Sequence, residues 1–269
     1  MLREFLCTLL VRCPSSARRL GLAHEHAAIA ARHARVREAW QPHLAASKAA
    51  ILAGADRCIS RRTVLVIGAG DCLDVPVEEL AGRFESVLLA DVVVSTTARH
   101  LARQFRNRVR CVQWDATGAL GALASRRRTI RPEEAIRLFD SANPGPPPER
   151  EPDLVVSANC ISQLGLVPAH ALAAASDDEC LPEQCAAAAA KQHLRWLAAR
   201  HGVRVILADV ARLNIAPDRR QLKREDLRQR LGLRLPDRTW RWNLAPIPEW
   251  SPDFHRVHEV GVWFDGPTA

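Results

Sequence analysis

From Thr63 onward the chain alternates short β-branched apolar runs with stretches of helical periodicity. The predicted strands are Thr63–Ile67, Ser86–Leu89, Arg108–Gln113, Leu154–Ser157 and Val203–Ala208. The first, fourth and fifth are nearly continuous apolar runs, the pattern of strands covered on both faces. Helices are predicted between them at Val75–Phe84, Thr96–Gln104, Thr117–Ser125 and Glu183–Arg200. Pro182 sits near the start of the last, and His201-Gly202 supplies its stop. Repeated β-α-β units imply parallel strands joined by right-handed crossovers, with helices on both faces. The alternation ends with two strands, Thr239–Leu244 and His258–Phe264, separated only by a Pro-rich loop. These are expected to pair antiparallel at one edge, giving seven strands in an α/β fold.

Residues 1–60 carry no strand pattern. Leu2, Phe5, Leu6, Leu9 and Leu10 fall on one face of a short helix. The segment from Glu25 to Leu52 reads as two or three helices broken at Pro42. The chain therefore divides into a helical extension, 1–60, and an α/β domain, 61–269. Residues 124–152 interrupt the domain with a short helix, Pro132–Phe139, and a proline cluster, the composition of an insertion or lid.

Charge changes this picture little. The formal net charge of +8 comes from arginines spread along the chain. A nucleic-acid footprint would be clustered and interleaved with stacking aromatics, so nucleic acid is not the expected partner. The eight cysteines show no zinc-ligand spacing and read as reduced core thiols, consistent with a cytoplasmic protein. His24, His26, His33 and His43 lack the spacing of a metal site, and no metal is expected. No apolar run approaches the roughly 18 residues needed to span a bilayer.

The chemistry concentrates where the first strand ends. Val64-Leu65-Val66-Ile67 runs into Gly68-Ala69-Gly70, and glycines there permit a tight turn and close approach of backbone N–H groups to a ligand. A helix starting near Asp74-Val75-Pro76 would aim its positive end at the same place. Asp91 closes the second strand about twenty residues on, where an acid can accept hydrogen bonds from both ribose hydroxyls. A dinucleotide fingerprint would place a third glycine where this chain has Leu73. Asp71, Leu73 and Asp74 instead suit a ligand with a cationic centre and no phosphates.

With these features the segment 60–265 resembles the class I S-adenosylmethionine-dependent methyltransferases. The resemblance rests on Gly68–Gly70, on Asp91, on Asp115 in Cys111-Val112-Gln113-Trp114-Asp115, on Asp153–Asn159 and on the terminal strand pair. It implies a Rossmann-like seven-stranded sheet whose last strand is antiparallel, and S-adenosylmethionine as cofactor. It also implies that Gly68, Ala69 and Gly70 approach the methionine part, Asp91 and Val92 the ribose, and Trp114 and Asp115 the adenine. Asn159 would lie beside the transferring methyl group. Many members carry an acid two residues before the first glycine; here that residue is Val66, and Asp71 or Asp74 would have to meet the ammonium. The helical extension would cover a small-molecule acceptor.

Methyl transfer to a hydroxyl or ammonium needs a base. Asn159 and His170 are the leading candidates for a catalytic role, with Asp209, Asn214, His255 and His258 also near strand ends. Cys160 lacks a visible histidine partner as a nucleophile. The tryptophans read as core or interface anchors. A nicotinamide-dependent oxidoreductase and a non-catalytic nucleoside-binding protein share the strand-loop-acid logic. The sequence leaves room for a homodimer.

Overall fold

A computed structural model describes residues 8, 10–145, 151–173 and 178–266. Of the predicted N-terminal apolar face, only Leu10 falls within them. Three helices come first: α1 (Ser15–Arg19), α2 (Leu22–Arg35) and α3 (Arg37–Asp56). The remaining elements are β1 (Thr63–Ile67), α4 (Val77–Arg83), β2 (Ser86–Asp91), α5 (Thr96–Gln104), β3 (Val109–Gln113), α6 (Leu120–Arg126), α7 (Pro132–Ser141), β4 (Leu154–Ala158), α8 (Leu166–Ala173), α9 (Leu181–Ala198), β5 (Val203–Ile215), β6 (Gln221–Asp226), β7 (Arg238–Ala245) and β8 (His255–Asp265).

The strand order is β3-β2-β1-β4-β5-β8-β7. The first five strands are parallel, and β8 lies antiparallel between β5 and β7. This is the Rossmann-like, mostly parallel sheet expected, with its antiparallel end. An eighth strand, β6, pairs with the far end of β5. Its sequence, Gln-Leu-Lys-Arg-Glu-Asp, is almost wholly polar and exposed, so it carries no apolar signal.

Successive residues of the buried strands serve opposite layers. Val64 and Val66 pack with Ile51 of α3, Leu80 of α4 and Ala98 of α5. Leu65 and Ile67 pack with Ala190 and Leu197 of α9. Layers on both faces explain why β1 and β4 read as unbroken apolar runs. Gly54 of α3 lies so close to β5 that a Cβ there would overlap Val205.

Two expectations are corrected. The helical extension breaks at Val36, not at Pro42, which lies inside α3. Pro42 removes one helical hydrogen bond, but Trp40, His43, Leu44 and Ser47 around it are buried, and that packing holds the helix straight through. Helix α4 starts at Val77 behind Pro76 and has only seven residues, so Asp74 and Val75 belong to the loop before it. No helix among the described residues is long and apolar enough to cross a membrane.

Candidate functional site

The strand order reverses between β1 and β4, and in open α/β sheets that is where the carboxyl ends leave a crevice. A cleft of about 620 Å³ opens there, within the usual size of small-molecule sites. Gly68, Ala69, Gly70 and Asp74 after β1 line it, with Asp91 and Val92 after β2, Trp114 and Asp115 after β3, and Asn159 after β4. His170 of α8 also reaches it. The structure therefore brings every predicted binding residue to one cavity.

Their hydrogen bonds differ from expectation at the glycine loop. The Gly68 amide donates to the Ala90 carbonyl at 3.0 Å, and the Gly70 amide donates to Asp91 Oδ2 at 2.9 Å. The glycine amides are thus spent within the protein and do not form the expected amide cradle. What the glycines supply is proximity. Gly68 has φ +77°, and a Cβ there would meet Cys160 Cβ at 2.7 Å and the Ala158 carbonyl at 2.9 Å. The loop lies against β4 as only glycine allows.

Asp91 accepts from Gly70 and, at 3.0 Å, from the Val93 amide. Burial pushes its pKa up, and the two amides and His26 only partly oppose that. Its charge is thus only partly compensated by the protein, and a further donor is favoured there. Asp115 is more fully committed: its carboxylate accepts from the Thr117 amide (2.9 Å), the Thr117 hydroxyl (2.6 Å) and the Leu120 amide (2.9 Å). It fixes the start of α6. Trp114 donates from Nε1 to the Pro144 carbonyl at 2.9 Å and packs against Trp196.

Asn159 sits in the left-handed region at φ +50°. Its Nδ2 donates to Asp74 Oδ2 at 2.6 Å, which orients the amide. Its Oδ1 is left buried without a partner. Asp71 instead pairs with His26 of α2 at 3.6 Å. Burial disfavours the His26 cation, but Asp71 outweighs it and holds the pKa above the ordinary histidine value.

Beyond Asn159 the cleft continues into a chamber lined by helices of the extension. On one side α2 presents Leu22, Glu25, His26, Ile29 and Arg32, the i, i+3, i+4, i+7 face of a helix. Helix α3 adds Trp40, His43 and Leu44. The other wall is the end of the sheet, where Arg212 of β5 and Trp242 of β7 both stand opposite His258 of β8. A β-bulge between Asp209 and Ala211 shifts the alternation, so that Asp209 and Arg212 reach the same face. Three tryptophans read as core anchors, Trp40, Trp242 and Trp250, line this cavity. His43 stacks on Trp242 at 4.1 Å, and Trp40 meets Trp242 edge-on at 4.8 Å.

Among the base candidates, the structure brings Asp209 and His258 together. His258 Nδ1 lies 3.1 Å from Asp209 Oδ2, and Ser162 Oγ donates to the same oxygen at 3.1 Å. Burial opposes the Asp209 charge, but His258, Arg212 and Ser162 outweigh it and lower its pKa. His255 Nδ1 accepts from the Ile247 amide, and Asn214 Oδ1 accepts from Arg256, so both are occupied outside this pair. Burial pushes the Cys160 thiol up to about 12, which keeps it protonated and unreactive near neutral pH. None of the described residues of 124–152 lines the cleft; Ala135 and Phe139 of that segment pack with α1, α6 and α9.

Neither a family model nor a curated protein sequence matches the chain. Among solved structures it is similar to the Burkholderia thailandensis 1,6-didemethyltoxoflavin-N1-methyltransferase, crystallised with 1,6-didemethyltoxoflavin and S-adenosylhomocysteine. That similarity spans 90% of each chain at 16% identity, with a TM-score of 0.35.

Proposed function

We propose that the protein transfers a methyl group from S-adenosylmethionine to a small-molecule acceptor. The observation that carries this reading is the contact of Gly70 with Asp91 inside a cleft that runs on, without a wall, into the chamber of Asp209 and His258. The residues fit the cofactor. Asp91 is an only partly compensated carboxylate placed for ribose hydroxyls. The unpartnered Asn159 Oδ1 beside Asp74 forms an acceptor pair for an ammonium, the role left open by Val66. Leu73 in place of a third glycine, and β8 antiparallel where a dinucleotide fold continues parallel, weigh against a nicotinamide cofactor.

The sulfonium of the bound cofactor supplies an activated methyl group, so the protein's task is alignment and proton removal. Asp91 and Asn159 hold one partner at the sheet's carboxyl edge. Helices α2 and α3 line the chamber where the acceptor lies. His258 removes the acceptor's proton, and Asp209 orients the ring and balances its charge. His170, exposed on α8, has no comparable orienting partner among the described residues.

Calorimetry tests the reading. S-adenosylhomocysteine and S-adenosylmethionine should bind, and nicotinamide dinucleotides should not. Binding of a nicotinamide dinucleotide without S-adenosylhomocysteine would replace this proposal with the oxidoreductase.

A further inference from the structure

We propose that the acceptor is an aromatic acid, its carboxylate held by Arg256 and Arg212 and its hydroxyl or ring N–H turned to His258. The inference rests on the methyl-transfer reading, but it arises from a separate part of the cleft.

Arg256 is half-buried in the chamber wall. Among the described residues no carboxylate forms an ion pair with it, and Glu225 acts on it only as a neighbouring charge. Its Nη1 donates to the neutral Asn214 Oδ1 at 2.7 Å, and its guanidinium lies 5.7 Å from the centre of the Trp250 ring. The nearby Arg212 lies 3.6 Å from Glu225, but that carboxylate is already bonded by Arg230 at 2.7 Å. Two guanidinium groups therefore share this end of the cleft with Glu225, already bonded by Arg230, and with Asp209, whose Oδ2 is engaged by His258 and Ser162. Such a pair is costly unless an anion joins it, and a carboxylate suits the fork geometry of arginine. Burial and the neighbouring Arg212 disfavour the Arg256 cation, and the nearby Glu225 charge only partly offsets them.

In the same wall His258 Nδ1 lies 3.1 Å from Asp209 Oδ2 without hydrogen-bond geometry, and two further buried polar atoms lack partners: the Trp242 indole N–H, a donor, and Asp209 Oδ1, an acceptor. Buried polar groups are rarely left so. An acceptor molecule that satisfies both must bring an oxygen or nitrogen lone pair as well as a proton. The α2 and α3 walls mix Leu22, Ile29, Trp40 and Leu44 with Glu25, His26, Arg32 and His43, and the indole and aliphatic surface among them favours a flat apolar body between the two polar ends.

The strand register sets the spacing. Arg256 precedes His258 by two residues on β8, and Arg212 stands opposite His258 across the β5–β8 ladder. Those positions lie about 5–7 Å apart on one sheet face, the reach of a single substituted ring. In the reaction the acceptor's heteroatom bonds the methyl carbon as the carbon–sulfur bond breaks onto sulfur. Its proton passes to His258 at Nε2, the nitrogen turned away from Asp209.

The test is calorimetry on the full chain, with and without saturating S-adenosylhomocysteine, using 3- and 4-hydroxybenzoate and indole-3-carboxylate against their methyl esters. At least one acid should bind tenfold or more tighter than its ester. Arg256→Gln should remove that preference while leaving S-adenosylhomocysteine affinity within twofold. Arg212→Gln serves as the second variant should the first fail to fold. Equal binding of every acid and its ester, or an unchanged preference in the arginine variants, overturns the proposal. Acid selectivity without S-adenosylhomocysteine binding would uphold the anion site and bring down only the methyl-transfer reading.

Discussion

At the scale of single residues, Asp91 and His258 divide the work between holding and reacting. Asp91 spends one hydrogen bond on each of two backbone amides and remains only partly compensated. Asp91→Ala should weaken S-adenosylhomocysteine binding by about 1–3 kcal/mol, the value of charge-assisted hydrogen bonds, as measured by calorimetry. An unchanged dissociation constant would remove Asp91 from the cofactor site. His258→Asn should instead leave cofactor affinity intact and lower turnover by about 10²–10⁴-fold, the usual worth of a positioned general base. A variant that turns over at the wild-type rate would take His258 out of the chemistry. Of these two residues, the sequence marks Asp91 sharply, because an acid ending a strand about twenty residues past a glycine turn has a recognisable spacing. His258 was one name among several. What distinguishes it is contact with Asp209, a residue 49 positions away on another strand (258 − 209), and no local pattern encodes that.

At the scale of elements, what was legible depended on whether a segment's surroundings follow from its own sequence. Strands β1 and β4 are covered on both faces and show it as apolar runs, so both are legible to within a residue, although the helix after β1 starts later than its sequence suggests. Strand β6 lies on the surface as a polar edge and carries no such mark. The bulge at the middle of β5 was equally invisible, yet it is what turns Asp209 and Arg212 toward one cavity. Pro42 misled in the opposite direction: burial of its neighbours outweighed a local helix-breaking signal. Helix α2 makes a testable contact through His26 and Asp71. The raised His26 pKa means that this contact stabilises the folded state fully below the ordinary histidine pKa. The contribution is lost as pH rises through the folded value. The lowered Asp71 pKa acts at the other end, since its contribution disappears as pH falls through the folded carboxylate value. The stability difference between wild type and His26→Gln should therefore be largest at mildly acid pH, and should shrink above pH of about 6.5. Denaturant titrations across that range measure it, and a difference that grows with pH would contradict the pairing.

At the scale of the whole molecule, the site lies between parts of the chain that also pack directly on one another, as Ile51 and Gly54 of α3 do against the sheet. Glu249, in the loop between β7 and β8, accepts from Arg35 at the end of α2 at 2.6 Å, which ties the helical extension to the far edge of the sheet. The surface arginines are drawn into scattered pairs of this kind, such as Arg83 with Asp56 and Arg224 with Glu259, and exposed pairs contribute little individually. A ligand that touches β1, β2, β4 and the cover together adds stability to the native state alone. At a concentration a hundredfold above its dissociation constant, such a ligand contributes about 2.7 kcal/mol. For a chain of this length that corresponds to a rise in Tm of roughly 5 °C. Saturating S-adenosylhomocysteine should produce that rise in a single cooperative transition, because the extension and the sheet unfold together once the cleft is filled. Two transitions, with only the later one raised, would mean that the helices over the chamber melt independently of the bound ligand, and that the cleft is completed by the sheet loops without them.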